Sequence, residues 1–127
     1  MSSAILALLL VVGISNSSFA QPGDWVPLGR ASVDGQRDHD SIHIRQRGTY
    51  RAIQIRVRGN DVRFDRVVVH YGNGQREQLY IRDVIRAGSA SRAIDLPGAR
   101  RVINRVDFWY GKARWGSRPV VSLFGLR

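Results

Sequence analysis

The 127-residue chain has no cysteine, a single methionine, a single lysine (Lys112) and a single glutamate (Glu77). Without cysteine there is no disulfide framework, no thiol nucleophile, no thiolate metal site and no lipid-modified N-terminal cysteine. With one glutamate, a paired-carboxylate hydrolase would have to be assembled from aspartates. A G-x-S-x-G elbow, an H-E-x-x-H helix motif, a zinc-type ligand spacing and a phosphate-cradling glycine loop are also missing. The residues therefore point away from an enzyme and call for no cofactor. Any fold must be held by sheet hydrogen bonds and aliphatic packing alone.

Charge is absent from residues 1–20 as well, so the other 107 carry the whole net charge of +10. Within that uncharged stretch Ala4–Val12 is an unbroken apolar run, followed by Ser18-Phe19-Ala20. Small residues at Ser18 and Ala20 suit a signal peptidase, which predicts a signal peptide over 1–20 and cleavage before Gln21. Nine apolar residues fall short of the about 20 that a membrane-spanning helix needs, and no later stretch approaches that length. The expectation is export, to the periplasm or beyond the cell, of one domain over 21–127.

Past Gln21 the apolar residues alternate with period two and are rich in Val, Ile and aromatics, which predicts strands. They fall at about Trp25–Val33, Ser41–Arg45, Thr49–Arg58, Asp61–Tyr71, Arg76–Arg82, Arg92–Leu96, Val102–Tyr110 and Pro119–Leu126. Only Arg82–Ala87 has room for a helical turn. A two-residue Gly59-Asn60 loop would join two strands as a hairpin, pairing Val57 with Val62 and Ile55 with Phe64. After Phe64 the apolar phase changes, and a β-bulge at Asp65-Arg66 would restore it. At Gly72-Asn73-Gly74 a three-residue loop with Gly74 left-handed sets Val67 opposite Leu79 and keeps the apolar faces together. Pro97-Gly98 marks a third turn. About eight short antiparallel strands make an all-β protein: a two-layer β-sandwich, with a small closed β-barrel as the alternative.

Several of these segments carry a resemblance. They are Tyr50–Gly59 (YRAIQIRVRG), Val67–Gly74 (VVVHYGNG), Ser91–Gly98 (SRAIDLPG), Val106–Tyr110 (VDFWY) and the closing Leu123-Phe124-Gly125. Together they resemble a family of small exported bacterial domains of unknown function, domain-of-unknown-function family 2541, over most of Trp25–Gly125. The shared motifs are turns and strands, so the resemblance implies a fold and no activity, ligand or site residue. His39 and His43 stand outside the family pattern.

Three constellations could carry function. Nineteen of the 20 basic residues are arginine, whose planar fork pairs with phosphate, sulfate or carboxylate through two parallel hydrogen bonds. Arg45, Arg47, Arg51, Arg56 and Arg58 fall mainly at outward strand positions, where they would form a ladder on one sheet face. A coding bias toward arginine and plain solubility explain the same excess. Phe108–Arg118 interleaves aromatics with cations: with Phe108 and Tyr110 inward, Trp109 points outward near Lys112, Arg114, Trp115 and Arg118. These Trp side chains could equally cover the edge of the sandwich. Finally Asp34, Asp38, His39, Asp40 and His43 gather ligand-type groups, with Asp38, His39 and Asp40 as weak metal candidates. His39 and His43 on one strand would lie about 13 Å apart, too far for one ion, and a solvated polar loop is the simpler reading.

The sequence thus favours an exported, non-catalytic binding module of unknown biological role. It would engage anionic glycan or lipid head groups through Arg56, Arg58, Trp109, Lys112, Arg114, Trp115 and Arg118. Export disfavours nucleic acid as partner. The alternatives are a structural or stress-related envelope protein without a specific ligand, and a metal-assisted hydrolase around Asp38, His39 and Asp40.

Overall fold

A computed structural model of the protein describes residues 24–33, 38–81, 84–111 and 118–127. The expected signal peptide, Asp34, Lys112, Arg114 and Trp115 lie outside the described residues. Among the described residues, alternating apolar residues fold as nine strands: β1 (Trp25–Ser32), β2 (His39–His43), β3 (Ala52–Arg58), β4 (Val62–Tyr71), β5 (Arg76–Leu79), β6 (Val84–Ile85), β7 (Ile94–Asp95), β8 (Ile103–Tyr110) and β9 (Val120–Leu126). They form two antiparallel sheets, one ordered β1-β9-β3-β7 and the other β2-β8-β4-β5, with β6 also pairing to β4. The sheets pack face to face as a β-sandwich, and the barrel alternative is excluded because neither sheet closes on itself. Among the described residues no helix is long and apolar enough to cross a membrane.

Period two decides which side chains enter the core. On β3, Ile53, Ile55 and Val57 are buried while Gln54 is half-buried and Arg56 and Arg58 are exposed. Val121 and Leu123 complete that inner face, and Ile42, Phe64, Val67, Val69, Val106, Phe108 and Tyr110 meet it from the second sheet. Phe64 and Phe108 pack edge to face at 5.9 Å, an arrangement that adds to their burial.

The turns separate what alternation determines from what it leaves open. The three-residue loop Gly72-Asn73-Gly74 forms as expected, with Gly74 at φ +88°, Val67 opposite Leu79 and His70 opposite Arg76. The expected bulge is present too: pairing to β8 slips between Phe64 and Arg66. The hairpin at Gly59-Asn60 does not form. β3 pairs with β9 and β7, β4 pairs with β8, β5 and β6, and Gly59-Asn60 is a corner that carries the chain from one sheet to the other. Val57 and Val62 both point into the core in either arrangement, so alternation could not distinguish a hairpin from a corner. The helical turn considered at 82–87 is also overturned, since Val84–Ile85 pair with Arg63 and Val62 as a short strand.

Candidate functional site

The outward face of the β2-β8-β4-β5 sheet carries the densest polar organisation among the described residues. Because β8 alternates, Val106, Phe108 and Tyr110 enter the core and Arg105, Asp107 and Trp109 face out. Register then sets three rows across the strands. His43 lies opposite Arg105, Arg105 opposite His70, and His70 opposite Arg76. Ser41 lies opposite Asp107, Asp107 opposite Val68, and Val68 opposite Gln78. His39 lies opposite Trp109, and Trp109 opposite Arg66. A groove of about 560 Å³ runs over this face, lined among others by Arg66, His70, Arg76, Arg105, Asp107 and Trp109.

Asp107 is the hub of the middle row and the one buried charged side chain among the described residues. Its carboxylate accepts a short 2.5 Å hydrogen bond from Ser41 Oγ and a 2.8 Å bond from His70 Nε2. Arg105 Nε lies 3.1 Å from Oδ1 as an ion pair, without hydrogen-bond geometry. Burial alone would push the Asp107 carboxyl up. The hydrogen bonds from Ser41 and His70, with the charges of Arg105 and His70, outweigh burial and hold it below the ordinary carboxylate range.

His70 Nε2 is also 3.2 Å from Arg105 Nη2. One nitrogen cannot donate to Asp107 and accept from Arg105 at once. The shorter, charge-assisted contact assigns the proton to Nε2, donated to Asp107. The order Ser–Asp–His also excludes nucleophilic activation of Ser41 in this arrangement, because its proton goes to a carboxylate rather than to an imidazole. In this arrangement the network positions charge.

Trp109 does the same work one row away. The His39 ring stacks on the indole with centroids 4.8 Å apart and planes 20° from parallel, and Arg66 Cζ sits 3.8 Å from its centroid. His39 and Arg66 come from the strands on either side of β8. Both indole faces are thereby covered, so Trp109 has no open face to stack on a sugar or base and instead fixes the Arg66 guanidinium.

The residues singled out from sequence are only partly gathered. Arg56 and Arg58 project from β3 on the outward side of the other sheet, opposite in the sandwich from Trp109. Arg56 lies 3.8 Å over the Phe124 ring. Arg118 flanks the Gly59 corner, on the Arg58 side. The expected arginine ladder does not form: Arg45 and Arg47 occupy the loop after β2, and Arg51 precedes β3. Asp38, His39 and Asp40 turn to other partners. The Asp38 carbonyl accepts the Tyr110 N–H, Asp40 Oδ2 accepts the Tyr110 hydroxyl at 2.9 Å, and His39 stacks on Trp109. Among the described residues no three His, Asp or Glu side chains gather around a point that would hold a metal ion.

Sequence reasoning gave no binding role to Ser41, Arg66, His70, Arg76, Arg105 or Asp107. The signal for two of them was present. Once β8 is phased by Phe108 and Tyr110, the residues at 105 and 107 must share the face of Trp109, and an aspartate inside an aromatic strand is unusual.

The family model described as Domain of unknown function (DUF2541) matches residues 4–125, and the chain belongs to that family. No curated protein and no solved structure matches it.

Proposed function

We propose that this member of the DUF2541 family is an exported, non-catalytic module that binds anionic envelope components, glycan or lipid head groups, on the outward face of β2-β8-β4-β5. The supporting observation is that two guanidinium groups are held in place beside one groove: Arg66 on the Trp109 ring and Arg105 on Asp107, with Arg76 on the adjoining strand. Holding an arginine in place before binding reduces the rotamer entropy lost when it meets an anion. The planar fork then takes sulfate, phosphate or carboxylate oxygens in pairs. The apolar run at Ala4–Val12 supports export, which would bring such polyanions within reach.

Retention on immobilised heparin, and in parallel on immobilised lipopolysaccharide, tests this reading and separates glycan from lipid sources of the same chemistry. Arg66→Gln plus Arg76→Gln should lower the salt needed for elution well below that of the native protein. Arg56→Gln plus Arg58→Gln, on the other sheet, removes the same charge and should shift elution much less. Equal shifts from the two pairs would mean that bulk charge alone holds the protein to the column. That outcome would favour an envelope protein without a specific ligand.

A further inference from the structure

We propose that a second site, on the open side of the sandwich, takes a small amphiphilic anion of the fatty-acid class, an aliphatic chain ending in a carboxylate. The site lies away from the anion-binding face and shares none of its residues.

β7 is the edge of one sheet, and β6 flanks β4 in the other. Between these edges lies a pocket of about 390 Å³, within the range of about 300–1,000 Å³ in which small-ligand sites fall. Its lining comes from Tyr80 and Ile81 and from the stretch between Val84 and Ile94. Ile81, Ile85 and Ile94 are buried and give it an aliphatic floor. The turn from Arg86 to Ser89, with Gly88 at φ +84°, carries the chain from β6 across to β3. There the Gly88 N–H donates to the Val57 carbonyl, and the Val57 N–H donates to the Ser89 carbonyl. Backbone pairing therefore fixes the two walls relative to each other.

Three large apolar side chains are exposed among the described residues, and two of them stand on this rim, Tyr80 at 78% and Val84 at 54%. Single exposed apolar residues are ordinary, but a pair beside a concave aliphatic floor marks a place that something covers. Arg86 and Arg92, both exposed, line the same pocket, and among the described residues no aspartate or glutamate does. Neither guanidinium has a hydrogen-bond or ion-pair partner among the described residues. Arg66 and Arg105, by contrast, are already committed to Trp109 and Asp107. The Ser91 hydroxyl is committed too, accepting the Ile55 N–H and donating to the Arg92 carbonyl. Charge complementarity selects the occupant: an aliphatic tail for the isoleucines, and a carboxylate, which arginine grips through two parallel bonds, for the rim. A neutral lipid would leave both guanidiniums unanswered, and a hydrophilic polyanion would leave Tyr80 and Val84 in water.

Octanoate is the probe, titrated into protein labelled with ¹³C at isoleucine and valine methyls. Saturable shifts are expected at Ile81, Val84, Ile85 and Ile94, with Ile42 on the far strand still. Hexanoate, shorter by two methylenes, should bind roughly tenfold more weakly. Octanol keeps the chain without the charge and should also lose roughly tenfold. Arg86→Gln plus Arg92→Gln should weaken octanoate by a similar factor. Arg45→Gln plus Arg47→Gln removes the same charge from the loop after β2 and should leave the affinity as it is. Val84→Asp sets a carboxylate on the rim at an exposed position, so the fold is kept while octanoate is repelled. No saturable shift at these methyls, octanol or hexanoate binding as tightly as octanoate, equal losses from the two arginine pairs, or full affinity in Val84→Asp would each overturn the proposal. None of these readouts involves heparin or lipopolysaccharide, so failure here leaves the anion-binding reading standing.

Discussion

Asp107 shows how one residue converts an ordinary strand position into an organised surface. Its carboxylate is buried at an outward-facing position, a costly placement unless its lone pairs are satisfied. Ser41, His70 and Arg105 supply that satisfaction from three strands. Asp107→Asn keeps the shape, removes the charge that faces Arg105 and His70, and should cost about 1–3 kcal/mol in urea unfolding. The pH dependence follows from the depressed folded pKa. The contribution of Asp107 is fully present above the unfolded value of about 3.9 and is lost as pH falls through the lower folded value. Below about pH 4 the Tm of the native protein should therefore fall more steeply than that of Asp107→Asn, a difference that thermal melts at pH 2.5–5 would reveal. An aspartate between Val106 and Phe108 carries no sign of Ser41 or His70 in the sequence, because they come from β2 and β4. Only the register, a property of paired strands, brings Ser41 and His70 to it.

Individual strands and turns were the most legible part of the molecule. The Gly74 loop was readable because only one loop length keeps Val67 and Leu79 on the same face, and the bulge at Asp65-Arg66 because the phase of Val67, Val69 and Tyr71 demands it. Gly74 and Gly125 are needed for different reasons, which substitution should separate. Gly74 has φ +88° and open space for 4 Å around the point where a Cβ would stand, so Gly74→Ala meets backbone strain alone and should cost about 1 kcal/mol. Gly125 lies on β9 at an inward position, where a Cβ would come within 2.6 Å of the Tyr50 ring and 2.9 Å of Leu28. Gly125→Ala should therefore cost more, about 1–3 kcal/mol by overpacking. Tyr50 itself is buried, and its hydroxyl has no hydrogen-bond partner among the described residues. Tyr50→Phe removes that unpaired group at little loss of shape, so chemical denaturation should show a gain of up to about 1 kcal/mol. A loss on that substitution would mean the hydroxyl is satisfied in solution.

Across the whole molecule, alternation decided which side of each strand is buried but not which strand lies beside which. A hairpin and a corner at Gly59-Asn60 bury the same Val57 and Val62, and the choice between them moves Arg56 and Arg58 to the opposite side of the sandwich from Trp109. That single connection explains why Trp109 and the β3 arginines, joined in the sequence reading, lie apart in the fold. The surplus of ten positive charges belongs to this scale as well. Self-repulsion should be screened by salt, so Tm should rise between 10 mM and 150 mM sodium chloride, as the Debye length shortens from about 30 to about 8 Å. The arrangement of the two outward faces makes a sharper demand. Titration of the ¹⁵N-labelled protein with a short sulfated oligosaccharide, followed by amide, guanidinium and indole shifts, addresses it directly. Saturable changes centred on Arg66, His70, Arg76, Arg105 and Trp109, with Arg56 and Arg58 still, are the predicted result. Changes centred on Arg56 and Arg58, or spread without saturation over every arginine, would contradict it.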